Sequence, residues 1–157
     1  MDVKKCFKDL DIKRIIIGRI PRNKDLITGI KEVCKGYGVR HGYIAGIIGS
    51  LKNARFVYAI KDEKANMGIS YSEPVVLNGP LEILAGQGII GLEETDELTV
   101  HLHMLVSDEK MRVYGGHIID GENAVLVTAE IIIHEIDRVE NRRVYDEDTG
   151  FFIFKFK

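Results

Sequence analysis

Five histidines stand at positions 41, 101, 103, 117 and 134, and three of them fall around one stretch of chain. His101 and His103 are two residues apart, so on a β-strand both imidazoles leave the same face. That spacing presents two nitrogen donors to one metal ion. His117 follows the diglycine Gly115-Gly116, on what reads as the partner strand of a hairpin. A four-residue loop at 107–110 pairs Val106 with Met111, sets Val100 opposite His117 and turns that ring away from the other two. A five-residue loop, or a bulge at Gly115-Gly116, sets His117 opposite His101 on the same face, and glycines are expected at such a bulge. Three neutral imidazoles with an open fourth position are a zinc arrangement, and nickel, cobalt or iron would also suit. Against this stands the reading of ordinary hydrogen-bonded or surface histidines; the combined spacing favours the metal. His41 and His134 have no such partner and read as structural or surface residues, with His134 facing solvent beside Ile133.

An ion held by His101, His103 and His117 leaves a position for water or a small molecule. Water there would have its pKa lowered toward ~7, which opens a second reading as a metal-dependent hydrolase or lyase. Glu82 or Glu130 would be the candidate general base, although pairing with an arginine inside the sheet is the simpler role for either. Gly86-Gln87-Gly88-Ile89-Ile90-Gly91 matches a Gly-x-Gly-x-x-Gly string, but Glu93-Glu94-Thr95-Asp96 follows where a dinucleotide site needs a helix N-terminus. Ser50 and Ser107-Asp108 read as turn residues. Cys6 and Cys34 are too few and too far apart for a disulfide scaffold or a thiolate cluster, and read as two reduced thiols.

The elements that must position these residues are mostly strands. The β-branched run Arg14-Ile15-Ile16-Ile17-Gly18-Arg19-Ile20, stopped by Pro21, predicts a strand. One helix is predicted over about 24–36, with Asn23 as N-cap, Asp25 in the first turn and Gly36 as the C-terminal stop. Leu26, Ile27, Ile30, Val33 and Cys34 share its apolar face. Strands follow over 43–48, 54–60 and 81–90. The runs 98–106 and 111–118 form the histidine hairpin. The long apolar run 124–136 predicts a strand buried on both faces. The chain closes on 151–157, with Phe152, Phe154 and Phe156 on one face, an aromatic edge expected to be paired or covered, by another subunit for instance. The fold class is α+β, a mainly antiparallel sheet with one principal helix packed on it.

The 157 residues form one domain, 1–157, and 45% hydrophobic content is enough for a core, which excludes a disordered linker. No run reaches the ~18 apolar residues of a membrane span and no secretory segment opens the chain, so a cytoplasmic location is expected. Charge is unevenly spread around a net −2. Residues 1–24 carry eight Lys/Arg against three Asp, while residues 91–150 carry five basic and fifteen acidic side chains. DNA binding through the basic N-terminal segment is a third reading, and the acidic second half argues against it. The same split suits self-association of basic and acidic surfaces.

His101-Leu102-His103, Ser107-Asp108, Gly115-Gly116-His117 and Gly121 together resemble the signature of the PPC domain, the plants and prokaryotes conserved domain. Asn78-Gly79-Pro80-Leu81-Glu82-Ile83-Leu84 resembles its Gly-Pro-Phe-Glu-Ile segment, with Leu81 in the aromatic place. Gly46 to Ser50 resembles its Gly-x-x-Gly-Ser/Ala turn, Arg19 its early Arg, and Asp25 the acidic residue that opens its helix. The likeness covers about 14–136. It implies an α+β fold assembled as a homotrimer, acting as a binding or assembly module, with the three histidines able to hold a metal. Plant members carry AT-hooks; this chain has no Arg-Gly-Arg-Pro, and Gly18-Arg19-Ile20-Pro21-Arg22 is a superficial echo inside a predicted strand.

Overall fold

The computed structural model describes residues 3–157, the side chain of Lys5 excepted. Met1 and Asp2, which open the basic segment, lie outside the described residues. After a short 3-10 turn (Val3–Cys6) come β1 (Asp11–Pro21), α1 (Leu26–Tyr37), β2 (Gly42–Val57), β3 (Ala59–Lys61), β4 (Ile69–Tyr71) and β5 (Val75–Glu93). The chain continues as β6 (Leu98–Ser107), β7 (Val113–Ile118), β8 (Val125–Asp137), β9 (Asn141–Asp146) and β10 (Phe151–Phe156). This is the expected α+β architecture, with β3 and β4 forming a small separate ribbon.

The main sheet runs β1-β8-β2-β7-β6-β5-β9-β10, and β2 also pairs with β5. These pairings are antiparallel except β5 with β9. Because β2 meets β5 along its length and β7 at its end, strands β2, β5, β6 and β7 curl into a hydrogen-bonded ring. Glycines allow the strands to approach. A Cβ on Gly86 would meet Ile47 Cγ2 at 2.1 Å, and one on Gly88 would meet the His101 carbonyl oxygen at 2.3 Å. The Gly-x-Gly-x-x-Gly string is therefore a packing device inside β5, with no helix to receive a phosphate.

Leu26, Ile27, Ile30 and Cys34 of α1 are buried and Val33 packs against the same core, as the helical spacing predicts. They share one core cluster with Ile20, Leu51, Leu81, Ile90, Leu102 and Ile118 from the strands. Each such side chain contributes about 1.5–3 kcal/mol by leaving water. The helix ends differ from the expectation. Asn23 takes a left-handed φ of 70° and accepts from Lys52 Nζ, so it cannot cap. Asp25, with extended backbone, accepts the Thr28 N–H at 3.0 Å instead. Gly36 lies inside the helix, and Gly38, at φ 70°, ends it.

β8 is buried on one face, not two. Ile131 and Ile133 enter the core, whereas Val127 and Ile132 point outward. β10 pairs with β9, and its rings are partly covered by this chain itself: Phe154 stacks on Phe156, Phe151 meets Tyr71 edge-on, and Phe152 packs on Tyr145. Lys13 and Arg14 of the basic segment reach the buried Glu135, tying β1 to β8.

Candidate metal centre

β6 and β7 bring the three histidines together. Alternation on β6 sends Val100, Leu102, Met104 and Val106 into the core and leaves His101 and His103 on the opposite face. The hairpin pairs Ser107 with Val113, so its loop is 108–112, and His103 stands directly across from His117. The same-face arrangement is thus the observed one. His117 lies opposite His103 rather than His101, however, and no bulge interrupts the ladder at Gly115-Gly116. The fifth loop residue does the shifting. Asp108 Oδ1 accepts the N–H groups of Lys110 and Arg112, and Met111 adopts a left-handed φ of 60°.

The diglycine has another task. A Cβ on Gly116 would sit 2.9 Å from the Val57 carbonyl oxygen. Its absence lets the end of β2 pair with β7 through Phe56–Ile118 and Val57–His117. His117 is consequently held from both sides and is only 7% exposed.

One ligand atom from each of His101, His103 and His117 can be chosen so that all lie within 4.8 Å of one another. The Nε2 atoms of His101 and His103 are 3.0 Å apart. Two nitrogens bound at ~2.0–2.1 Å to a tetrahedral ion stand about 3.3 Å apart, so little movement would complete such a site. His117 Nδ1 is buried and has no hydrogen-bond partner, an arrangement that is costly unless something binds there. Among the described residues no Cys, Asp or Glu joins the group. These donors fit a borderline metal with one position left open.

His101 and His117 are also biased toward the neutral form, the one that ligates. Burial, the neighbouring His103 and Arg143 lower the His101 pKa to about 4. Burial, His101, His103 and Arg143 do the same for His117. Phe154 stacks on His101 with centroids 6.3 Å apart, and Tyr71 stacks on His117 at 5.8 Å. Arg143, Phe154 and Tyr71 were not legible as neighbours of the site, because each lies far along the chain and arrives through the β9–β10 hairpin or the β3–β4 ribbon.

The other candidates stand apart. Glu82 is exposed on β5, in register between Ser50 and Ser107, and Glu130 is exposed on β8 opposite Arg19. His41 Nδ1 accepts the Asn141 N–H, a structural role. His134 is half-buried and hydrogen-bonds through Nδ1 to the Tyr43 hydroxyl at 2.5 Å, instead of facing open solvent. Cys34 is buried in the core, where desolvation and Glu135 raise its thiol pKa to about 11, so it is inert.

Solved structures share this architecture. A metal-containing protein of Archaeoglobus fulgidus matches with a TM-score of 0.78 and 25% identity, over 93% of this chain and 96% of its own. A plant- and prokaryote-conserved (PPC) protein of Pyrococcus horikoshii matches with a TM-score of 0.78 and 27% identity, over 94% and 96%. Among curated proteins, the bifunctional protein GlmU of Synechococcus sp. (strain JA-3-3Ab) is 27% identical over 133 residues, 85% of this chain. The chain spans 19% of that relative's length. The sequence model of the Plants and Prokaryotes Conserved (PCC) domain matches residues 8–137, a stretch that contains all three clustered histidines. This chain belongs to the Plants and Prokaryotes Conserved domain family.

Proposed function

We propose that this chain is a homotrimeric binding and assembly module in which His101, His103 and His117 hold a divalent metal, zinc being the ion that three imidazoles suit best. The observation that carries the metal is the convergence of three imidazoles with a buried, unpartnered Nδ1 on His117. The metal-containing relative from Archaeoglobus fulgidus adds support. Such an ion would act as an electrophilic anchor for a small molecule at its open position. A hydrolytic role has less behind it, since Glu82 and Glu130 stand away from the histidines and neither can serve there as general base.

Self-association is supported by apolar side chains on the outward face of the edge strand β1 and its neighbour β8. Ile15, Ile17 and Val127 are 60%, 76% and 66% exposed. DNA as partner has weaker support, because Lys13 and Arg14 are engaged by Glu135 and Lys24 by Glu32.

Elemental analysis of the purified protein tests the metal reading. We expect one ion per chain in the wild type and none in His103→Ala, with the circular dichroism spectrum unchanged. The same stoichiometry in both proteins would overturn it.

A further inference from the structure

We propose that Arg143 is the anion-binding half of a site for a small organic carboxylate, whose other half is the open position of the metal at His101, His103 and His117. This inference rests on the metal reading above.

The two adjacent arginines of β9 are treated differently by the fold. Arg142 is saturated: its guanidinium donates to Asp96 Oδ1, Glu140 Oε1 and the Glu93 carbonyl oxygen. Arg143 has no ion pair or hydrogen bond from its guanidinium among the described residues, and its Nε is buried without a partner. Glu93 is its registered neighbour on β5, yet no ion pair joins them. A buried guanidinium donor without an acceptor is costly, and an arriving anion would relieve it.

Arg143 and one of the three histidines, His117, face a common space. It is a cavity of about 380 Å³, with Thr99 and Val100 on its wall. That volume is at the small end of the ~300–1,000 Å³ typical of ligand pockets. Arg143 is near enough for its charge to bear on both His101 and His117. A divalent ion there would add to that positive charge, and a counter-anion between ion and guanidinium would offset both. Planar carboxylate matches the guanidinium fork and leaves a lone pair for the metal. Phe154 stacks on His101 and Tyr71 on His117, so the imidazoles are flanked by aromatic rings.

Charge at the rim selects against more highly charged anions. Glu93, Glu97 and Asp120 also line the cavity, and of these Asp120 is paired with Lys31 at 2.7 Å. They disfavour a phosphate dianion more than a single carboxylate.

The test uses the full chain loaded with cobalt(II), titrated with benzoate, acetate and inorganic phosphate. Binding is read from the visible absorption of the cobalt centre, and metal content is measured separately. We expect the carboxylates to shift the spectrum of the wild type, benzoate more strongly than acetate, and phosphate to act more weakly. Arg143→Gln should retain the metal and lose about tenfold or more in carboxylate affinity, with Arg143→Lys falling between. Carboxylate affinity unchanged in a metal-retaining Arg143→Gln would overturn the proposal, as would tighter binding of phosphate or no response of the wild type to any carboxylate. Should the wild type take up no cobalt, the metal reading itself fails. Calorimetry showing benzoate binding to that metal-free protein would then assign Arg143 a site of its own and overturn the shared one.

Discussion

Val57 and His117 are backbone partners, and their pairing closes the curled sheet beside the histidine cluster. The contact exists because Gly116 lacks a Cβ, which would otherwise press against the Val57 carbonyl oxygen at 2.9 Å. Gly116→Ala should therefore cost about 1–3 kcal/mol and weaken metal binding by loosening the strand that carries His117. Gly46→Ala is the matched control, since nothing lies within 4 Å of its added Cβ; a change of about 0.5 kcal/mol or less is expected. Urea midpoints and zinc titrations of both variants check this, and equal behaviour would contradict the role given to Gly116.

The depressed pKa values of His101 and His117 predict how the metal-free protein responds to acid. Both groups fall to about 4 in the folded chain, chiefly through burial, and return toward the ordinary 6.5 when it unfolds. Between those values the unfolded chain binds protons that the folded chain refuses. Stability is thus full above pH 6.5 and declines as pH falls toward about 4. Chelated protein should show urea midpoints falling steadily across that window, and His101→Gln/His117→Gln should show a shallower decline. Bound zinc should be released in acid as well, because protons compete for the same lone pairs. Parallel pH profiles for wild type and double variant would contradict the assignment.

What the sequence discloses about this site, and what it withholds, follows from the range of each interaction. Period-two alternation puts His101 and His103 on one face without any knowledge of the rest of the fold. The position of His117 depends on register, and register depends on whether the loop includes Met111 and Arg112. Residue type gives no warning there: Met111 takes a left-handed φ that usually marks Gly or Asn, and Asp108 supplies the hydrogen bonds that hold it. The helix face was legible because its spacing is local. Its cap lies at Asp25, two residues beyond Asn23, whose side chain accepts instead from Lys52, a partner 29 positions away. β8 read as doubly buried because an outward face of Val127 and Ile132 is indistinguishable, in one dimension, from a second core face.

Asp25 joins the helix to the rest of the domain and gives a third prediction. One carboxylate oxygen accepts the Thr28 N–H and the other accepts the Asn123 N–H, each at 3.0 Å. Asn123 is fully buried; its Oδ1 accepts the Arg55 N–H and its Nδ2 donates to the Ile119 and Gly121 carbonyls. Removing this side chain strands one donor and two acceptors, so Asn123→Ala should cost about 2–3 kcal/mol or more. Asp25→Ala should cost about 1–2 kcal/mol as a lost cap, and Asp25→Asn less. Thermal unfolding of the three variants gives the order directly, and a neutral Asn123→Ala would contradict the network.

Assembly can be separated from folding at Ile17. The residue stands on the edge strand β1, opposite Ile132 of β8, and is 76% exposed in the single chain. A charge placed there meets water in a monomer and costs about 0.5 kcal/mol or less. In a trimer that covers this face, the same charge would be stripped of water without a partner, a penalty of several kcal/mol at each copy. Light scattering should therefore report a trimer for the wild type and a monomer for Ile17→Glu, while circular dichroism of the two remains the same. A wild type that is already monomeric at micromolar concentration would contradict the assembly reading, and a variant that remains trimeric would move the interface off β1. The three clustered histidines all come from one chain, on β6 and β7. The monomeric variant should accordingly keep its zinc, which separates a failed interface from a failed site.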